Sequence, residues 1–161
     1  MISATMQSAL NAQINMEQYS SQLYLAVSAH LSAHNFKGFA HWLRVQAAEE
    51  TAHANTLIDF LIDRGGTLEL KAVQAPRVEA AGVVQVFEAV LVHEQETTAA
   101  IHRLFDTARL EKDYASEITL NWYVTEQVRE EAALAQITDH LRAVGEQGGG
   151  IWYLDDRMGK R

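Results

Sequence analysis

Cysteine is absent from the 161 residues, which excludes disulfides, thiolate zinc sites, iron–sulfur clusters and cysteine nucleophiles. Any metal must then be held by oxygen and imidazole. Proline occurs once, at Pro76, and the nine glycines gather mainly at 65–66 and 148–150, so long stretches carry no helix breaker. Positive charge is scarce: 13 Lys and Arg stand against 21 Asp and Glu, a formal charge of −8. That balance disfavours phosphate backbones and anionic membranes and predicts neither a nucleic-acid nor a membrane partner. Long apolar runs are missing too, each broken by Gln, Glu or His, and the opening MISATMQSAL has no basic start ahead of an apolar stretch. Neither a signal peptide nor a membrane span is therefore expected, and the chain is predicted to be cytoplasmic.

What is present is helical periodicity. Apolar residues such as Leu10, Ile14 and Leu31, then Phe39, Leu43 and Leu57, recur at three-, four- or seven-residue spacings, and the pattern repeats around Phe87 and Leu134. It predicts four amphipathic helices over about 4–33, 36–63, 83–111 and 114–144, within a single domain spanning 1–161. The first pair and the last pair are joined by a few residues around Asn35 and Lys112, so each should form an antiparallel hairpin. Residues 64–82 differ, opening on Gly65 and Gly66 and containing Pro76, and are predicted to be an irregular connector. A 28-residue helix is about 42 Å long and a 19-residue extended segment reaches about 60 Å, so this connector can run the whole bundle length. The expected fold class is all-α: a four-helix bundle over about 4–144 with one long crossover, the ferritin-like topology.

Each predicted helix carries metal-competent residues near its midpoint, in phase with the apolar stripe: Glu17, then Glu50 and His53, then Glu94, then Gln127 and Glu130. Leu43, Glu50 and Leu57 are seven apart, as are Leu120, Gln127 and Leu134; Glu17 lies midway between Leu10 and Tyr24, and Glu94 midway between Phe87 and Ile101. Polar groups thus stand at core positions. Glu50 and His53 form an i, i+3 pair on one face, able to share an ion. Burying four carboxylates with nothing between them would cost several kcal/mol per ion, against a net domain stability of about 5 to 15 kcal/mol. Two divalent cations balance the four charges. Carboxylates with one imidazole suit iron(II) or manganese(II), with zinc as a competitor. Isolated glutamates such as Glu69 and Glu146 are read as solvated. His30 and His34, like His41, His93, His102 and His140, are also expected to be solvated.

With these residues in place, the chain resembles the bacterial non-haem ferritins over nearly its full length, through MEQYSSQLYLAVSAHL, HWLRVQAAEETAHANTLIDFLIDRGG, VHEQET and NWYVTEQVREE. The resemblance implies a ferroxidase centre with two irons per subunit, one held by Glu17, Glu50 and His53 and the other by Glu50, Glu94 and Glu130. Gln127 would lie alongside, aiding metal or dioxygen binding. Tyr24 would neighbour the centre, hydrogen-bond there and supply an electron, and the resemblance extends to Trp122 on the fourth helix. A weaker third iron site would involve Glu49 and Glu126 beside Glu130, where the charge of Arg129 predicts partial or no occupancy. No haem is expected: Thr51 stands where bacterioferritin has its methionine ligand, and Gln127-Val128-Arg129-Glu130 lacks a second Glu-x-x-His. The implied assembly is a homo-oligomer of 24 subunits that oxidises iron(II) with dioxygen or peroxide and stores the ferric mineral. The segment from about 148 to 161 would supply a short fifth helix. A passive storage subunit without fast oxidation, or a di-iron redox enzyme acting on organic substrates, are the alternatives.

Overall fold

The apolar stripes form α1 (Ala4–Ala33), α2 (Lys37–Asp63), α3 (Val83–Leu110) and α4 (Tyr114–Val144), and a short α5 (Gly149–Met158) follows. The computed structural model describes residues 1–78 and 82–160, and no strand occurs among them. Two of the expected helix limits, at 36 and 111, each fall one residue outside the observed helix. The hairpin turns hinge on Asn35 (φ 68°) and Lys112 (φ 56°), whose left-handed backbone reverses the chain.

The direction of each helix follows from the core. Val27 and Leu31 share one apolar cluster with Val83 and Val86, while Leu10 and Ile14 share another with Ile101 and Leu104, so α1 and α3 are antiparallel. Phe39 and Leu43 lie with Phe87, and Leu57 and Leu61 with Leu104, so α2 and α3 run parallel. The connector therefore crosses the length of the bundle, as its reach allows. No helix among the described residues is long and apolar enough to cross a membrane.

Helix starts are capped by two means. Ser3 caps α1 by accepting from the Met6 amide at 3.0 Å, and Asp113 caps α4 by accepting from that of Ser116 at 3.2 Å. The other two take their caps from the C-terminal segment. Asp155 of α5 accepts the amides of Gly38 and Phe39 at 3.1 and 2.9 Å, and Glu146 accepts that of Val84 at 2.9 Å. Glu146 is exposed as expected, yet it satisfies a donor at the start of α3. Helix α5 sits so close to α2 that a Cβ at Gly38 would fall 1.6 Å from the Asp155 carbonyl oxygen. Ile151 is buried and Trp152 stacks on Phe36 with ring centroids 5.1 Å apart.

Part of the connector is more regular than expected. Gln7, Asn11 and Asn15 line one edge of α1 at four-residue spacing, and their amides bond alternate residues of segment 67–71. Thr67 donates its amide to Gln7, Glu69 to Asn11 and Lys71 to Asn15, at 2.7 to 2.9 Å. The carbonyls of Thr67 and Glu69 accept from Asn11 and Asn15 at 2.9 and 3.0 Å. Four helical residues rise about 6 Å and two extended residues span about 6.6 Å, so the two repeats stay in step over this short span.

Candidate metal centre

Every member of the seven-residue series is buried: Leu10, Glu17 and Tyr24; Leu43, Glu50 and Leu57; Phe87, Glu94 and Ile101; Leu120, Gln127 and Leu134. The four helices thereby bring one polar layer to the middle of the bundle, between the two apolar clusters.

In that layer Glu17, Glu50 and His53 offer ligand atoms lying within 4.8 Å of one another, and Glu50, Glu94 and Glu130 do the same. Glu50 belongs to both groups. Nδ1 of His53 is 3.2 Å from Oε2 of Glu50. His53 is steadied from α4, where the Tyr123 hydroxyl donates to its carbonyl at 2.8 Å and Trp122 packs edge-on at 5.1 Å between centroids. Gln13 donates to Oε1 of Glu17 at 2.7 Å, Tyr24 donates to Oε1 of Glu94, and Nε2 of Gln127 donates to Oε2 of Glu94 at 3.0 Å.

Among the described residues, three buried side-chain oxygens are left without a hydrogen-bond partner: Oε2 of Glu17, Oε1 of Glu50 and Oε2 of Glu130. An unmet buried acceptor costs about 1 to 3 kcal/mol, more when charged. All three lie in the two clusters, so divalent cations there would satisfy them and cancel the like charge. The titration behaviour has the same origin. Burial, then the charges of Glu17 and Glu94, pushes the Glu50 carboxyl well above its usual range. Burial also raises Glu17, against the opposing hydrogen bond from Gln13. Glu130 is pushed up to about 9 by burial and then by Glu50 and Glu94. Tyr24 is held well above the usual phenol range by burial and then by the Glu94 and Glu50 charges. Four carboxylates with one imidazole suit iron(II) or manganese(II) better than a thiolate-loving ion.

Glu49, Glu126 and Glu130 line a flanking cavity of about 230 Å³ together with Arg129. The Arg129 guanidinium lies 3.1 Å from Glu126 in that wall. The rings of His30 and His34 lie 4.4 Å apart, tilted by 41°, at the C-terminal end of α1, with His34 exposed.

Several contributors were not singled out in the sequence. His93, expected to be solvated, is instead half-buried and partnered: its Nε2 lies 2.8 Å from the Ser20 hydroxyl and its ring meets Tyr19 and Tyr24 edge-on. Burial lowers its pKa. Its place beside Glu94 on α3, one position off the carboxylate phase, is the signal that could have found it. Gln13 stands one turn before Glu17, where an amide reaches a carboxylate, and Thr98 one turn after Glu94.

The model of the ferritin-like domain family matches residues 7–144. A bacterial non-heme ferritin of Bacteroides fragilis is 37% identical over 161 residues, covering the whole of both chains. Another, from Staphylococcus aureus, is 33% identical over 161 residues, covering 100% of this chain and 97% of that protein. Among solved structures, an open pore ferritin from the archaeon Archaeoglobus fulgidus superposes with a TM-score of 0.98 at 42% identity, over 100% of this chain and 99% of that one.

Proposed function

This chain belongs to the ferritin family, and from that premise we propose that it oxidises iron(II) at the central carboxylate layer and stores the ferric product inside a shell of 24 identical subunits. The observation that carries the reading is the sharing of Glu50 between two ligand groups whose three partnerless oxygens ask for two cations. Two iron(II) ions are the substrate, one held by Glu17, Glu50 and His53 and one by Glu50, Glu94 and Glu130. Each iron gives up one electron, and dioxygen with two protons leaves as hydrogen peroxide, or peroxide with two protons leaves as water. Holding both irons on one carboxylate lets a two-electron oxidant meet both donors at once.

The chain supports this chemistry with its own groups. Glu17, Glu50 and Glu130 hold protons more tightly than free carboxyls, so iron uptake displaces protons at the place where the oxidant consumes them. Tyr24 donates its hydroxyl to Glu94 and so helps hold that carboxylate beside the second ion group. Assembly is supported by the exposed face of α4, where Tyr114, Ile118 and Trp122 recur every four residues with 69%, 74% and 45% of their surface open.

Aerobic addition of iron(II) followed by stopped-flow absorbance tests the reading. Fast oxidation followed by mineral growth is expected, and Glu50→Ala should abolish the fast phase in a chain that still folds. Slow background oxidation in the natural chain would make it a passive storage subunit, and size-exclusion mass checks the shell.

A further inference from the structure

Helical threonines in this chain default to their own backbone. Thr56, Thr97, Thr107, Thr119 and Thr138 each donate to the carbonyl four residues before, at 2.8 to 3.1 Å. Thr98 departs from that habit and donates across to Oε1 of Glu131 on α4. A hydroxyl has one hydrogen, and a carboxylate only accepts. With its hydrogen given to Glu131, Thr98 can only accept from its other neighbour, the side-chain amide of Gln127 at 3.1 Å. The end of that amide facing Thr98 must be the nitrogen. Its second hydrogen then goes to Oε2 of Glu94 at 3.0 Å, while Oε1 of Glu94 accepts from Tyr24. Glu94 is thus held by a donor on each oxygen, whereas Glu17, Glu50 and Glu130 each leave one oxygen unpartnered.

We propose that Thr98 and Glu131 are positioning residues for the ion group of Glu50, Glu94 and Glu130: together they fix the polarity of the Gln127 amide so that Glu94 meets an incoming divalent cation already oriented. With the amide reversed, its oxygen would face a carboxylate oxygen at hydrogen-bond distance, and repulsion would turn Glu94 away. The inference rests on the reading of this layer as an iron(II) site and adds residues that touch no iron. Thr98 and Glu131 are only half-buried, so the control over Glu94 reaches the centre from near the surface of the α3–α4 hairpin.

Anaerobic titration of the metal-free, full-length chain tests it, with iron(II) read by calorimetry and cobalt(II) by ligand-field absorption. The natural chain should take up two ions per subunit. Thr98→Val, which keeps the shape and removes the hydroxyl, should weaken one of the two about 10- to 100-fold and alter one of the two cobalt spectra. Thr98→Ser, which keeps the hydroxyl, should restore natural affinity, and Glu131→Ala should weaken the same ion as Thr98→Val. Natural affinity for both ions in Thr98→Val, or a Thr98→Ser chain as weak as Thr98→Val, would overturn the inference alone. A natural chain that takes up no ion would instead overturn the iron reading beneath it.

Discussion

Arg129 reaches one turn back along α4 to Glu126, with 3.1 Å between guanidinium and carboxylate, in the wall of the cavity that Glu49 and Glu130 also line. Arg129 is 69% exposed, so the pair adds little to stability. Its effect is electrostatic: a tethered cation faces the carboxylates that a third iron would need.

Replacing that cation by a carboxylate should therefore open the flanking site. Arg129→Glu is expected to raise anaerobic iron(II) binding from two to three ions per subunit, read by metal analysis and by anomalous diffraction. A natural chain already carrying a fully occupied third ion beside Glu49 and Glu126 would contradict this.

The pH dependence of the metal-free chain follows from Glu130. Its carboxyl is raised from 4.5 to about 9 in the folded chain, so the folded state keeps a proton that the unfolded state gives up. The stability this contributes is complete below about pH 4.5 and is lost as pH rises through about 9. Glu17 and Glu50 are shifted in the same direction. The metal-free Tm should fall between pH 5 and 9, and metal loading should remove the trend. Calorimetry in buffers of different ionisation enthalpy should show protons released on metal uptake at pH 7, fewer above pH 9. A metal-free Tm that rises over that interval would refute the assignment.

Removing the cap that α5 lends to α2 should loosen both. Asp155→Ala leaves the Gly38 and Phe39 amides without their acceptor and is expected to cost about 1 kcal/mol. Gly38→Ala should act more locally, since its Cβ cannot coexist with the Asp155 carbonyl. Hydrogen exchange should then show residues 149–158 losing protection while α1, α3 and α4 keep theirs.

The amides along α1 make a separate prediction. Asn11 both donates to the Thr67 carbonyl and accepts from the Glu69 amide, so Asn11→Ala breaks two bonds to this segment, each contributing about 1 kcal/mol, besides the one to the Gln7 carbonyl within α1. Segment 67–71 should exchange its amide hydrogens faster, with iron uptake unchanged. Protection equal to the natural chain would show that the ladder does not hold the segment.

The helices were legible because their signal is local: apolar residues repeat with the turn, and Asn35 and Lys112 fall where the stripes stop. The carboxylate layer was legible for the same reason, as Glu17, Glu50 and Glu94 each interrupt a series of apolar residues at core spacing. Capping by Asp155 was not, because it joins residues 116 and 117 positions apart and leaves no periodic trace. The ladder of Gln7, Asn11 and Asn15 has a four-residue period, but in sequence it looks like an ordinary polar face. Thr98 escaped notice because its role lies in the direction of one hydrogen, which spacing does not encode.

The carboxylate layer also separates the two apolar clusters from each other. The cluster that includes Tyr24 and Ile151 forms a hydrophobic block at the α5 end, the one that includes Met6 and Tyr123 a second at the far end, and the seam between them is made of carboxyls that need protons or cations to lie together. Loaded with cations, that seam would become a cross-brace pinning all four rods at mid-height; emptied, its carboxyls must keep their protons to lie together.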